Sequence, residues 1–128
     1  MADSQKIVVT GGAGYIGSHT AVELLNHGFE VVALDNLENS EASVIDRIRE
    51  ITGKPMEFEC VDLRDRDQVD AFFRKHSPIQ GAIHFAAKKA VGESVEKPLA
   101  YYHSNLVSLI HLLEAMIASG SENLVFSS

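Results

Sequence analysis

Read for the spacing of its apolar positions, the chain alternates between two periods. Ile7-Val8-Val9 is a β-branched run suited to a buried strand, and short apolar runs recur over 30–34 and 81–85. Between them the period becomes helical. Ala21, Val22, Leu24 and Leu25 punctuate a helix over about 15–27, with Gly28 as its stop. Val44, Ile45, Ile48 and Ile51 mark a second helix, ended by Gly53-Lys54-Pro55. A third strand is expected over 56–61, terminated by Asp62. Val69, Phe72 and Phe73 then give a third helix, with Asp65 placed to cap it and Ser77-Pro78 beyond it. Leu106, Leu109, Ile110, Leu113, Met116 and Ile117 lie in a long helix over 99–119, stopped by Gly120, and 123–127 reads as a fifth strand.

Alternating strands and helices imply a parallel sheet with helices on both faces. Right-handed crossovers make 3-2-1-4-5 the expected strand order, an α/β, Rossmann-like arrangement that ends after its fifth strand. Strands 1 and 4 are then neighbours whose connections leave toward opposite faces, so a ligand crevice is expected at their C-terminal ends. Its lining would be 11–17, 35–40, 62–63 and 85–89. No internal repeat, linker or low-complexity segment interrupts the pattern, and residues 1–128 are expected to form one domain.

The turn after the first strand carries the candidate chemistry. Gly12, Gly14 and Gly17 satisfy G-x-G-x-x-G, while Gly11, Gly14 and Gly17 satisfy G-x-x-G-x-x-G. Such a turn needs one glycine to reverse tightly, one to bring backbone against a pyrophosphate and one to let the helix lie close on the strand. The helix start adds free N–H groups and a positive dipole end. Asp35, at the end of the second strand, is where a carboxylate accepts from a ribose hydroxyl; its charge would repel a 2′-phosphate, favouring NAD over NADP. A simple turn or cap role for Asp35 is the alternative.

Composition narrows the partners. With 11 basic against 18 acidic residues the net charge is −7, and no basic block interleaves with aromatics, so nucleic acid and anionic membrane are not expected partners. No stretch approaches the ~20 apolar residues of a membrane span, and the first residues lack a secretory signal, so the cytoplasm is the default location. The one cysteine, Cys60, is expected to be a buried, inert thiol. Six histidines are scattered without a close pairing, and no metal site is expected.

Longer stretches go beyond a generic fold. The run from Val9 through Thr20, Leu34-Asp35-Asn36-Leu37, the run from Ile83 through Leu99 containing Lys89-Ala90-Val91-Gly92-Glu93-Ser94, and Leu124-Val125-Phe126-Ser127-Ser128 closely resemble the UDP-galactose 4-epimerases. These belong to the extended short-chain dehydrogenases, and the resemblance runs the whole chain. It implies NAD contacts at Gly11, Gly14, Tyr15, Ile16 and Gly17 for the pyrophosphate. It places Asp35, Asn36, Asn39 and Ser40 around the adenosine ribose, and Asp62 and Leu63 at the adenine. Phe85, Ala86, Ala87 and Lys89 would line the path to the nicotinamide half, and Asn105 matches a helix asparagine on the cofactor side. Lys89 as a solvated loop cation and Asp62 as a turn cap are the plainer alternatives. The family usually has glycine at the positions of Ala87 and Ser108.

The resemblance also implies a reaction: hydride leaves carbon 4 of a UDP-hexose for NAD while a tyrosine takes the hydroxyl proton, and hydride returns to the opposite face. That tyrosine needs a lysine four residues on, since a phenol of pKa ~10 is a poor base at neutral pH. Tyr15, Tyr101 and Tyr102 are followed at that spacing by His19, Asn105 and Leu106, so no Tyr-x-x-x-Lys is present. No catalytic residue is assigned, and this portion alone is expected to be inactive. A homodimer through the helix 99–119 is what the family implies. A non-catalytic NAD-binding module and a fragment of another sugar-nucleotide dehydratase or epimerase are the competing readings.

Overall fold

Five parallel strands pair in the order β3-β2-β1-β4-β5, as the alternation of periods predicts. The structure is a computed structural model and describes residues 5–37, 40–85 and 98–127. In chain order the elements are β1 (Lys6–Thr10), α1 (Tyr15–Asn26), β2 (Glu30–Asp35), α2 (Ser43–Thr52), β3 (Glu57–Cys60), α3 (Arg66–His76), β4 (Gly81–His84), α4 (Pro98–Ser119) and β5 (Asn123–Phe126). Bounds move by a residue or two from those read in the sequence. The register aligns the C-terminal ends: Thr10 pairs with Leu34 on one side and His84 on the other, and Asp35 pairs with Cys60.

The two-residue period of the strands divides the core. Val8, Val32 and Leu34 face Val69, Phe72 and Phe73 of α3 together with Leu112, Ala115 and Met116 of α4. Val9, Val31 and Ala33 face the other way, against Ala21 and Leu25 of α1 and Ile45 and Ile48 of α2. Both faces of the central strands are thereby covered, as a parallel sheet demands. Helix ends follow local chemistry. The Asp65 side chain accepts from the Asp67 and Gln68 amides at the start of α3, a cap that stabilises by about 1 kcal/mol. At the end of α1 the Lys54 ammonium donates to the Leu25 carbonyl at 2.5 Å, supplying positive charge where the helix dipole favours it.

Two side chains depart from expectation. Cys60 is exposed rather than buried: it is the last residue of β3, the edge strand of the sheet among the described residues. His76, read only as one of six scattered histidines, is buried at the end of α3. Its Nδ1 lies 3.1 Å from a Glu57 carboxylate oxygen and its Nε2 meets Glu59, so both ring nitrogens tie α3 to the edge strand.

Apolar side chains remain open on α4 and β5. Leu106, Ile110, Leu113 and Ile117 of α4 are exposed at spacings of four, three and four, which places them in one stripe. Val125 and Phe126 of β5, an edge strand, are exposed as well.

Candidate dinucleotide site

Strand β1 leads to α1 on one face of the sheet while β4, its neighbour, precedes α4 on the other, so the chain divides at their C-terminal ends. The glycine loop lies there. Gly11, at φ +68°, turns the chain out of β1, and the Gly14 amide donates back to its carbonyl at 3.0 Å. A Cβ at Gly17 would sit 2.1 Å from the Gly11 carbonyl oxygen, so the missing side chain lets α1 rest on the loop. One at Gly12 would sit 2.5 Å from the Ala33 Cβ, so its absence lets the loop rest on β2. Gly14 differs from both: a Cβ there would meet only the Gly11 oxygen, at 3.2 Å. Packing asks less for glycine there than at Gly12 or Gly17, and the open side of Gly14 leaves room for a ligand to approach the backbone closely.

Helix α1 starts immediately afterwards. Gly14 occupies its N-cap without a side-chain hydrogen bond, and its first turn holds no acidic residue. Ordinary helix starts use a Ser, Thr, Asp or Asn oxygen to satisfy those amides; this one offers its positive end instead, as anion-binding helix starts do. The Tyr15 and Ile16 side chains are exposed, at 81% and 54%, while Gly17 is buried. Tyr15 and Ile16 therefore have no packing duty in the core, and their amides are what this turn presents.

Asp35 closes the loop from the side. It is only 7% exposed, and its two carboxylate oxygens accept from the Ala13 amide at 3.1 Å and the Leu37 amide at 2.9 Å. A carboxylate has about four acceptor positions, so capacity remains for ribose hydroxyls. Leu37 has φ +63°, an unusual conformation for a residue with a side chain; Asn36 before it is exposed, and Ser40 is half-buried.

The loop after β3 is pinned from several directions. The Asp62 amide donates to Gln68 Oε1 at 3.0 Å, its carbonyl accepts from Asp65 N at 2.9 Å, and Arg64 Nη2 reaches the Asp62 carboxylate at 2.8 Å. Asp62 thus combines the turn-capping role with a position beside the crevice. Leu63 is buried, its side chain in the core beneath α4. On the β4 side, the Phe85 amide donates to Thr10 Oγ1 at 2.9 Å, and that hydroxyl lies 2.7 Å from His84 Nδ1. Thr10 and His84 are fully buried, and together they lock β1 to β4 directly beneath the glycine turn.

The structure therefore brings together Gly11, Gly14, Tyr15, Ile16, Gly17, Asp35, Asn36, Asp62, Leu63 and Phe85 at one end of the sheet. Asn105 and Ser108 lie on α4, half-buried and buried. Asn39, Ala86, Ala87 and Lys89 lie outside the described residues. Sequence reasoning did not single out Ala13, Thr10 or His84. Their roles depend on which strands are neighbours and in what register, and the only advance signal was that both strands end at the same crevice.

The sequence model of the NAD-dependent epimerase/dehydratase family matches residues 7–128. The chain belongs to that family. A UDP-glucose 4-epimerase of Bacillus subtilis is 57% identical over 122 residues, covering 95% of this chain but 36% of the relative. One of Mus musculus is 51% identical over 130 residues, covering 97% and 37%. Among solved structures, a UDP-glucose-4-epimerase from Stenotrophomonas maltophila, with bound NAD and formylated UDP-arabinopyranose, superposes with a TM-score of 0.91 at 50% identity, covering 97% of this chain and 37% of that one. A UDP-glucose 4-epimerase from Bifidobacterium longum in complex with NAD+ and UDP gives 0.93 at 44% identity, with the same coverage. This member of the NAD-dependent epimerase/dehydratase family thus spans little more than a third of the length of these relatives. Its residues fit the family's dinucleotide: Gly14 leaves the cradle open, α1 begins uncapped, and a buried carboxylate faces the same loop.

Proposed function

We propose that this chain is the NAD-holding portion of a UDP-glucose 4-epimerase. The observation that carries the reading is the pairing of an uncapped α1 start with Asp35, whose carboxylate already organises the glycine loop. The Gly14, Tyr15, Ile16 and Gly17 backbone would hold the pyrophosphate, with Gly11 giving the turn. Asp35, Asn36, Asn39 and Ser40 would surround the adenosine ribose, and Asp62 and Leu63 the adenine. Phe85, Ala86, Ala87 and Lys89 would serve the nicotinamide half, and Asn105 of α4 would lie on the cofactor side. Bound there, NAD supplies a reversible hydride acceptor. The chain's own contribution is to bind and orient it, and to exclude a 2′-phosphate by the negative charge of Asp35.

UDP-hexose as substrate is part of the proposal, supported by the likeness to UDP-glucose 4-epimerases. Proton transfer from a sugar hydroxyl needs a base that this sequence does not supply, since none of its tyrosines precedes a lysine at four residues. Residues 1–128 are accordingly proposed as a cofactor domain without epimerase activity of its own. Homodimer formation through α4 belongs to the proposal, supported by the exposed stripe at Leu106, Ile110, Leu113 and Ile117. Among the described residues no helix is long and apolar enough to cross a membrane. A cytoplasmic location is proposed with the rest, in keeping with a single, unpaired cysteine.

Calorimetric titration of the purified chain with NAD and with NADP tests the reading. Saturable NAD binding, with NADP weaker, is expected. In Asp35→Asn the loss of charge should weaken NAD by about tenfold and narrow the gap to NADP. A folded chain that binds neither dinucleotide would refute it.

A further inference from the structure

The loop proposed to meet adenine is held by a residue on a different element. His111, half-buried on α4, has its Nδ1 2.6 Å from the Leu63 carbonyl oxygen. A carbonyl only accepts, so Nδ1 carries the proton and donates. Leu63 is fixed from its other side too, because its side chain is buried in the core with Leu112 and Ala115, which follow His111 along the same helix. Backbone and side chain of one residue are thus both set by α4. The neighbouring Asp62 is held by Gln68 of α3 and by Arg64, so Leu63 is the point at which α4 controls the loop.

We infer that His111 is a positioning residue for the adenine end of the dinucleotide: it touches no ligand, and acts by holding the Leu63 carbonyl so that the 62–63 backbone keeps the shape an adenine edge can meet. This rests on the reading that the chain binds NAD. The bond spans 48 residues and joins α4 to the crevice, so nothing in the local sequence of either segment signals it. Its distance is short for a nitrogen–oxygen hydrogen bond, and its acceptor belongs to a loop rather than to a ladder that other bonds would maintain.

Three versions of the chain decide the matter: wild type, His111→Ala and His111→Asn, the last of which keeps a donor nitrogen at the δ position. NAD and AMP are titrated into each by calorimetry, and amide hydrogen exchange is followed without ligand. In His111→Ala, NAD and AMP affinities are expected to fall by the same factor, about five- to tenfold, and exchange to accelerate across 62–64 while β1 and β2 keep their protection. His111→Asn should restore most of both. A merely structural role would instead lower protection throughout the sheet and leave the loop unremarkable. Wild-type affinities in His111→Ala, or a loss for NAD not matched by AMP, would overturn the inference while leaving NAD binding intact. A folded wild type that binds neither ligand would overturn the dinucleotide reading and the inference together.

Discussion

The Asp35 carboxylate accepts a hydrogen bond from the Ala13 amide at 3.1 Å, joining the end of β2 to a glycine loop 22 residues earlier. The other oxygen of the same carboxylate accepts from Leu37 at 2.9 Å. One buried side chain therefore holds the glycine loop on one flank and the left-handed Leu37 on the other, so its contribution is present before any ligand arrives. Hydrogen bonds to a charged group are each worth about 1.5–3 kcal/mol, and Ala13 is buried, so its amide would be left unsatisfied. Asp35→Ala should lower the unfolding free energy by about 2–3 kcal/mol in urea titration. Asp35→Asn, which keeps one acceptor oxygen, should cost less. Equal stability of wild type and Asp35→Ala would mean that the carboxylate serves only the ligand.

The glycines separate packing from recognition. At Gly17 a methyl group would collide with the Gly11 carbonyl at 2.1 Å, and the obstacle is backbone that cannot swing aside. Gly17→Ala should therefore lose more than about 2 kcal/mol of stability as α1 is lifted off the loop. Gly14→Ala meets only the Gly11 oxygen, at 3.2 Å, and φ −76° is ordinary for alanine. Its stability should fall by less than about 1 kcal/mol, the cost of a poorer N-cap, while NAD affinity drops at least tenfold. Thermal melts paired with calorimetry on the two variants measure the separation. A Gly14→Ala chain that binds NAD like wild type would place the phosphates elsewhere.

Much of this site was legible in sequence because it depends on local chemistry. The glycine spacing, the strand before it, the helix after it and the acidic residue ending β2 all appear within the segment ending at Asp35, and parallel topology brings them together. The sheet order expected from alternation and crossover handedness is the one observed. What stayed hidden depends on partners distant in the chain. Thr10 with His84 is visible only once β1 and β4 are in register, and His111 with Leu63 only once α4 lies over the loop. Cys60 was misjudged for a related reason: an apolar strand pattern says which face is inward, but not where the cover over that face ends.

His76 gives a third prediction, on stability. It is 3% exposed, its ring lies 4.6 Å from that of Phe72, and both of its nitrogens face carboxylates of β3. Alanine would remove a packed ring and leave Glu57 and Glu59 on one face without the group between them. His76→Ala should cost about 2–4 kcal/mol in urea unfolding. The two carboxylates are not equivalent: Glu57 is 63% exposed and Glu59 30%, and Glu59 also pairs with Lys75 at 3.5 Å. Glu59→Gln should therefore be the more damaging of the two isosteric changes, since exposed pairs contribute little. The reverse order would show that Glu57 carries the tie.

The α4 stripe turns an exposed surface into a statement about assembly. Leu106, Ile110, Leu113 and Ile117 repeat at four, three and four residues, the spacing by which one helix meets another, and Ile117 is 79% exposed. Fully burying one such side chain contributes about 1.5–3 kcal/mol, so a pair of stripes brought together supplies enough to offset the loss of free motion on association. On the opposite side of the helix Leu112, Ala115 and Met116 are already committed to the core, so carboxylates at exposed Ile110 and Leu113 should not unfold it. Sedimentation velocity should show concentration-dependent association of the wild-type chain. In the double variant Ile110→Glu with Leu113→Glu, a monomer with unchanged circular dichroism is expected. Association that survives both charges would move the contact elsewhere, for example to the edge strand β5, where Val125 and Phe126 are exposed on opposite faces.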